Sequence, residues 1–274
     1  MTLNEAVVAH YGRADLLDRI DTALRQAGKD PQRPTIDDLA PVDEFHSRGR
    51  EATKELAALL PADIDTEVLD VGSGLGGPAR FLAATHGLKI VGIDLTPDYV
   101  AVAQELTRRC GLADRVRFLT ADATDLPFPP ASFAAAYTQH VAMNIEDKQA
   151  LYADVARVLR PGATFVVYDI LKGPGGPVRY PTPWSADGST SFLVDLPTLE
   201  SLLEAAGFRV DERFDRRAES VEWFEARATA AASGPPPTGI HLLLGPLFGP
   251  AFTNLTANLR DARVVPMLVR AVRA

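Results

Sequence analysis

Short apolar runs alternate with amphipathic segments through the middle of the chain. The runs predict short buried strands at 67–71, 89–94, 116–119, 133–137 and 164–170. Between them, apolar residues recur every three or four positions and predict helices at 77–86, 97–110 and 146–159. Strands that alternate with helices at this length form βαβ units. We therefore expect an α/β fold with a parallel sheet covered by helices on both faces.

Both ends of the chain depart from this alternation. Before it, the pattern predicts two helices within residues 3–28 and one from about Glu51 to Leu60. After it come a helix at 197–206, a strand at 208–214, an amphipathic helix at 219–232, a turn at 234–237 and a closing strand at 264–272. We expect a helical cap at residues 1–45 and a main domain at 46–274.

Two stretches of the main domain look like lids, near 172–195 and 219–260. Residues 172–192 are rich in Gly and Pro, too long for a simple connection and too aromatic for a linker. Residues 241–252 are apolar but interrupted by Gly and Pro. They are expected to be core, with a pocket lining or a subunit interface as the alternatives.

The stretch 67–81, EVLDVGSGLGGPARF, joins the first of these strands to its helix through a glycine turn. Glycines permit positive φ and close backbone approach, and the helix start offers free N–H groups. Asp70 stands within the strand, and its charge suits a cofactor with a cationic amino-acid end better than a pyrophosphate. The turn predicts a nucleoside-containing ligand, although a turn without a ligand has the same spacing.

Composition narrows the function classes. The net charge of −8 argues against a broad nucleic-acid surface, which needs clustered basic residues. A single cysteine, Cys110, excludes an intrachain disulfide and favours a reducing compartment. The chain shows neither a basic leader nor a long apolar run, so we expect a cytoplasmic protein without a membrane span.

Four motifs occur in a family order and spacing: LDVGSGLGG (69–77), IVGIDL (90–95), ADATDLPF (121–128) and LYADVARVLRPG (151–162). Together they resemble the class I S-adenosylmethionine-dependent methyltransferases. GGPAR (76–80) and QHVAMNIEDK (139–148) are similar to the small-molecule branch, which includes glycine/sarcosine, quinone, prenyl and sterol methyltransferases. The resemblance implies a Rossmann-like sheet of seven strands in the order 3-2-1-4-5-7-6. It also implies S-adenosylmethionine as cofactor and S-adenosylhomocysteine as product.

The residue chemistry agrees with that cofactor. Asp70 would face its ammonium group, Asp94 would accept from both ribose hydroxyls, and Asp122 would accept from the adenine amino group. Arg50 is a candidate clamp for the carboxylate. The predicted cofactor residues are Arg50, Asp70, Gly72, Ser73, Gly74, Asp94, Leu95, Asp122, Ala123 and Gln139. For the acids the alternative is a capping or solvent-exposed role.

Methyl transfer is an in-line displacement, so the protein mainly positions the acceptor and excludes water. An oxygen acceptor benefits from a general base. His140 is the first base candidate and Asp169 the second. Predicted pocket residues are Tyr11, His46, Tyr180 and Trp184, although each could serve packing instead. No metal site is predicted.

Three function classes remain open. The favoured one methylates an N, O or C atom of a small, partly hydrophobic metabolite, as in secondary metabolism. A nucleic-acid or protein methyltransferase would want a basic groove, or an NPPY-like tetrad where residues 138–141 read TQHV. A cyclase or regulatory protein that keeps the cofactor fold without methylating is the alternative. A small-molecule partner is expected, with a homodimer as one option for the assembly.

Overall fold

A seven-stranded sheet forms the centre of the protein in the computed structural model, which describes residues 2–12, 15–61, 67–231 and 236–274. The strands are β1 Glu67–Val71, β2 Lys89–Asp94, β3 Val116–Thr120, β4 Phe133–Gln139, β5 Leu159–Lys172, β6 Phe208–Asp215 and β7 Val264–Arg273. Their order is β3-β2-β1-β4-β5-β7-β6, and β7 is antiparallel to both of its neighbours. The predicted fold class is confirmed.

Eleven helices are described around the sheet within those ranges. They are α1 Leu3–Tyr11, α2 Leu16–Gln26, α3 Ile36–Asp43, α4 Arg50–Leu59, α5 Gly77–His86, α6 Pro97–Arg109, α7 Lys148–Val158, α8 Leu196–Ala205, α9 Arg217–Ala231, α10 His241–Leu244 and α11 Phe248–Arg260. Helices α3, α10 and α11 were not predicted. Strand β5 begins five residues earlier than predicted, and the predicted turn at 234–237 lies partly outside the described residues.

Both faces of the sheet are buried, which explains the continuous apolar runs of its parallel strands. Successive side chains point to opposite faces, so Leu69 and Val68 of β1 enter different core clusters. Helices α7 and α8 cover the first face, where Leu151 and Leu203 are buried. Helices α4, α5 and α6 cover the second. With both faces covered, the carboxyl ends of the strands are left as the place for a ligand.

The N-terminal helices pack beside the sheet as a third apolar cluster. Leu16, Ile20 and Leu24 of α2 meet Leu106 of α6 and Leu243 of α10. The segment 241–252 therefore contributes to the core, as expected by default. No helix in the described parts of the chain combines the length and hydrophobicity needed to cross a membrane.

A buried ion pair fastens α3 to the start of α5. Arg80 Nη2 lies 2.6 Å from Asp43 Oδ2, and both side chains are almost completely buried. Arg80 also donates to the Leu75 carbonyl oxygen at 2.7 Å. Because a buried charge without its partner costs several kcal/mol, this pair holds α3 against the glycine turn.

Candidate cofactor and acceptor site

A cavity of about 370 Å³ opens where β1, β2, β3 and β4 end. Strand β1 lies between β2 and β4, so the strand order reverses there, and open α/β sheets bind ligands at such switch points. The volume falls within the range of small-molecule pockets. The cavity has a polar end at the strand tips and an apolar end beyond β4 and β5.

The glycine turn forms one wall of the polar end. The backbone N–H groups of Gly72 and Ser73 both donate to the Ile93 carbonyl oxygen, at 2.9 and 2.8 Å, which ties the turn to β2. Gly74 has φ +52, and a Cβ placed on it would point into space with no protein atom within 4 Å. The turn therefore leaves a cradle into which a ligand can come close to the backbone.

Asp94, the last residue of β2, is held by the turn that it faces. Its Oδ2 accepts the Gly74 N–H and its Oδ1 accepts the Thr96 N–H, each at 2.8 Å. Burial raises the pKa of Asp94, while these backbone hydrogen bonds act to lower it. The carboxyl group is fixed in orientation and keeps further lone pairs for a ligand.

Asp122, beyond β3, is bonded on both oxygens. Oδ1 accepts the N–H and hydroxyl of Thr124, at 2.9 and 2.7 Å, and Oδ2 accepts the Asn4 side chain of α1 at 2.7 Å. Burial acts to raise the pKa of Asp122, but these hydrogen bonds bring it below its ordinary value. A ligand that needs Oδ2 must share it with Asn4 or displace Asn4.

Two side chains at the centre of the cavity lack the partners that burial demands. Burial raises the pKa of Asp70 to about 8, although its contact with the Tyr137 hydroxyl acts to lower it. The amide nitrogen and oxygen of Gln139 are both buried without a hydrogen-bond partner among the described residues. Buried polar groups nearly always have a hydrogen-bond partner. Leaving polar atoms of these two side chains without one is unfavourable, which is consistent with a site where a polar ligand provides the missing partners.

His140 follows β4 in a strained conformation. Its φ is +56, uncommon for a residue with a Cβ, and its backbone N–H donates to the Tyr168 carbonyl oxygen at 2.7 Å. Burial, reinforced by His46, lowers the pKa of His140 well below its usual value. The ring lines the cavity as a neutral imidazole, and its Nε2 is buried without a partner in the described structure.

His46 is oriented by a short chain of hydrogen bonds. The Thr53 hydroxyl donates to Glu44 Oε2 at 2.6 Å, so its oxygen accepts from His46 Nε2 at 3.1 Å. The Gly49 carbonyl oxygen accepts from the same nitrogen at 3.1 Å. The proton therefore sits on Nε2 and the lone pair on Nδ1. Burial lowers the pKa of His46 to about 4, which keeps the ring neutral.

The apolar end is built by three separate parts of the chain. Trp184 comes from the loop after β5, Trp223 and Phe224 from α9, and Phe252 and Leu255 from α11. These side chains belong to one apolar cluster that also includes Met143 and Ile170. The cavity thus joins a polar compartment to an apolar one.

Comparison with known proteins identifies the family. A model of the methyltransferase domain matches residues 69–167. The O-methyltransferase rstn1 of Aspergillus nomiae is 31% identical over 184 residues, which cover 66% of this chain and 81% of that protein. The chain belongs to the class I methyltransferases.

Other relatives agree with this family. The O-methyltransferase cnsE of Penicillium expansum is 35% identical over 62% of this methyltransferase, which spans 61% of the length of cnsE. Among solved structures, the [4+2]-cyclase SpnF matches with a TM-score of 0.72 at 23% identity, covering 100% of this chain and 97% of that one. At that identity the match shows the fold alone.

Most of the predicted site residues line this cavity. They are Tyr11, His46, Asp70, Gly72, Ser73, Gly74, Asp94, Leu95, Asp122, Ala123, Gln139, His140 and Trp184. Their individual roles stay predictions. In the described ranges, no group of three or more His, Cys, Asp or Glu side chains is arranged to hold a metal ion.

Three predicted residues lie elsewhere and require correction. Arg50 pairs with Glu44, bonds Asp37 at 3.2 Å and stacks on Phe81, so it is not available as a carboxylate clamp. Asp169 is buried beneath the cavity, where it accepts the backbone N–H groups of Met143 at 3.1 Å and Ile170 at 2.8 Å.

Burial raises the pKa of Asp169 to about 7, but the carboxyl is not part of the cavity lining. Tyr180 is also outside the lining. Backbone hydrogen bonds between Thr182 and Ser185, at 2.8 and 3.2 Å, form a turn after Tyr180 that places Trp184 at the cavity instead. Of the two aromatic residues predicted from this loop, Trp184 lines the cavity and Tyr180 does not.

Several residues of the site were not predicted. Asn4 contacts Asp122 across 118 positions of sequence, and Glu44 with Thr53 orients His46; no local pattern signals either arrangement. Phe252 had a usable signal, because the apolar run 241–252 was considered as a pocket lining, whereas Leu255 lies beyond that run.

Proposed function

We propose that this methyltransferase transfers a methyl group from S-adenosylmethionine to an N, O or C atom of a small, partly hydrophobic metabolite. The observation that carries the proposal is a single cavity in which Asp70, Asp94 and Asp122, at successive strand ends, adjoin an apolar wall. The polar end would take the cofactor, and the apolar end would take the acceptor.

We assign a partner at the polar end to three groups of the cofactor. Asp70 would bind the ammonium group, which relieves a carboxyl that burial disfavours as an anion. Asp94 would bind the ribose hydroxyls, and Asp122 with Ala123 would bind the adenine. The open space at Gly74 and the unpaired amide of Gln139 are consistent with a ligand rich in polar groups.

Bound S-adenosylmethionine would supply the electrophilic methyl group. The chain would position the acceptor and bind its hydroxyl proton. The apolar wall holds the acceptor against the strand tips and keeps water out. His140, the predicted base, and His46 are the two imidazoles in the lining. Both are neutral, so each has a lone pair that can accept a hydrogen bond from an acceptor hydroxyl, and burial makes each a weaker base than a free imidazole.

A non-methylating cyclase or regulatory protein is the second candidate, because the SpnF cyclase aligns over nearly the whole of both chains. The two candidates differ in what happens to the cofactor. A methyltransferase converts bound S-adenosylmethionine to S-adenosylhomocysteine when an acceptor is present, whereas a cyclase leaves it unchanged.

The remaining expectations concern partners and location. A net charge of −8 supports a partner other than nucleic acid and is compatible with a cytoplasmic protein. A homodimer remains one option for the assembly, which sedimentation velocity of the purified protein would test.

Isothermal titration with S-adenosylmethionine and S-adenosylhomocysteine tests the proposal directly. We expect micromolar binding of both, since both carry the amino-acid end, ribose and adenine. Absence of binding by folded protein would overturn the cofactor assignment and the function with it. Binding followed by acceptor-dependent formation of S-adenosylhomocysteine would separate the methyltransferase from the cyclase.

A further inference from the structure

Both tryptophans of the chain, Trp184 and Trp223, line the apolar end of the cavity. Trp184 is 1% exposed, and its indole N–H donates to Ser191 Oγ at 2.9 Å. Because its polar edge is already bonded within the loop, the ring offers an apolar surface to the cavity.

Phenylalanine rings extend this surface on the helix side. The Trp223 and Phe224 rings meet edge to face with centroids 4.9 Å apart, and Phe224 lies 5.6 Å from Phe252. Trp184, Phe224 and Leu255 belong to one apolar cluster. An apolar ring-bearing molecule would gain burial and aromatic contacts here.

The charges around the cavity are one-sided. Five carboxyl residues of the lining have no arginine or lysine partner among the described ion pairs, namely Asp70, Asp94, Asp122, Glu146 and Asp147, and a sixth, Asp43, is neutralised by Arg80. Among the described residues of that lining there is neither a lysine nor an arginine. A phosphate group on the acceptor would lose its hydration without gaining a cationic partner.

Three arginines lie close to this region without belonging to the lining. Arg48 and Arg50 pair with Glu55 and Glu44. The Arg227 guanidinium lies 4.0 Å from the Trp223 ring centroid, but its side chain is exposed and outside the lining.

The polar groups at the acceptor end suit an uncharged hydroxyl. His46 and His140 are both neutral because burial opposes their protonation. The hydrogen bonds from His46 Nε2 leave Nδ1 as an acceptor. An acceptor O–H can donate to such a lone pair, and a neutral hydroxyl loses less hydration free energy than an ammonium ion when it enters beside the apolar wall.

We propose that the acceptor is an uncharged alcohol or phenol on an apolar, ring-bearing body, and that the cavity discriminates against phosphorylated acceptors. The inference rests on the proposed methyltransferase function. In the transfer, the acceptor oxygen forms a bond to the methyl carbon while the carbon–sulfur bond breaks and its electron pair stays on sulfur. The hydroxyl proton leaves through an imidazole of the lining to solvent water.

A matched series of probes tests this with the protein's own fluorescence. The series is 3-phenylpropanol, 3-phenylpropyl phosphate and 3-phenylpropylamine, which share a body and differ in charge. Tryptophan is excited at wavelengths that phenyl rings do not absorb, and both tryptophans report on the cavity. Titrations are run with saturating S-adenosylhomocysteine and repeated without it.

We expect a saturable fluorescence change with the alcohol at concentrations about tenfold lower than with either charged probe. Equal or tighter binding of the phosphate or the amine would overturn the inference, and so would an unchanged signal with the alcohol. Calorimetric titration of S-adenosylhomocysteine reports separately on the proposed function, so the two failures can be told apart.

Two lysine substitutions on α11, one inside the cavity lining and one outside it, test whether the charge of the lining sets the preference. Phe252→Lys puts a cation in the lining and should shift the preference toward the phosphate. Thr253→Lys adds the same charge to α11 at an exposed position outside the lining and should keep the preference of the parent protein. If both variants bind the probes alike, the charge of the lining does not set the selectivity.

Discussion

At the residue scale, the carboxylate oxygens of Asp94 have two roles. They accept the N–H groups of Gly74 and Thr96, which fixes the glycine turn, and they are the atoms that would bind the ribose hydroxyls. Asp94→Asn keeps the shape of the side chain but replaces one acceptor by an N–H donor. We expect S-adenosylhomocysteine binding to weaken by about 1–3 kcal/mol, the range for hydrogen bonds to a charged group.

Calorimetric titration measures the Asp94→Asn effect. Asp114→Asn is the control, because Asp114 is exposed and precedes β3, at the opposite end of that strand from the cavity. Normal affinity in a folded Asp94→Asn protein would contradict the ribose assignment.

Asp70 leads to a different kind of prediction, a proton released on binding. With a pKa of about 8, this carboxyl is mostly protonated at neutral pH before the ligand arrives. An ammonium group beside it favours the anion, so S-adenosylhomocysteine binding should release close to one proton at pH 7 and less at higher pH.

Titrations in phosphate and Tris buffers measure that release, because the observed heat then includes the ionisation enthalpy of the buffer. Asp70→Asn should abolish the difference between the two buffers. A wild-type heat that is independent of the buffer would exclude Asp70 as the ammonium partner.

At the scale of elements, the sequence predicted β1 and β2 with the bounds that the structure gives them. Their buried apolar runs are short and sharply bounded, so the pattern is unambiguous. Helix α3 was missed because Pro41 lies inside it, although Thr35 and Asp38 form a reciprocal cap at its start.

In the candidate site, the residues placed by the fold class were predictable, and those placed by contacts between distant parts of the chain were not. The residues at the strand tips could be placed because the fold class fixes where parallel strands end. Arg50 could not be placed, because a guanidinium pairs with whichever carboxylate the fold brings near, and here that is Glu44. The contact of Asn4 with Asp122 depends on how α1 crosses the cavity, which local pattern does not encode.

That contact predicts an effect of α1 on the cofactor. Asn4 donates to the oxygen of Asp122 that an adenine amino group would need, so Asn4→Ala should remove a competitor. We expect S-adenosylhomocysteine affinity to rise about two- to fivefold, corresponding to one exposed hydrogen bond. Glu5→Ala is the control, since Glu5 caps α1 without touching the lining. Weaker binding by Asn4→Ala would mean that Asn4 assists the ligand.

At the scale of the whole molecule, the buried acids make stability depend on pH. Asp70 has a folded pKa of about 8 against an ordinary value of 3.8, so between these values the folded chain binds more protons than the unfolded chain. Stability from this group is therefore greatest at low pH and declines as pH rises toward 8. Asp169, with a folded pKa of about 7, acts in the same direction.

His46 acts oppositely, because its pKa falls from 6.5 to about 4 and its contribution is lost as pH drops through that window. Above pH 6.5 the acids should dominate. Between pH 6.5 and about 7.5 we expect the free energy of unfolding in urea to fall by up to about 1.4 kcal/mol per pH unit from Asp70 and by about half of that from Asp169. Asp70→Asn should show a smaller slope, and an unchanged slope would contradict the assignment.

Strand β7 separates β5 from β6 in the sheet, although it follows both of them in the chain. During synthesis, β5 can pair with β4 on one edge, but its other edge has no partner strand until residues 264–273 have been made. At translation rates of about 5–20 residues per second, the interval from residue 172 lasts roughly 5–20 s. Throughout it the nascent chain presents an apolar strand edge, a surface that chaperones bind and that aggregation exploits.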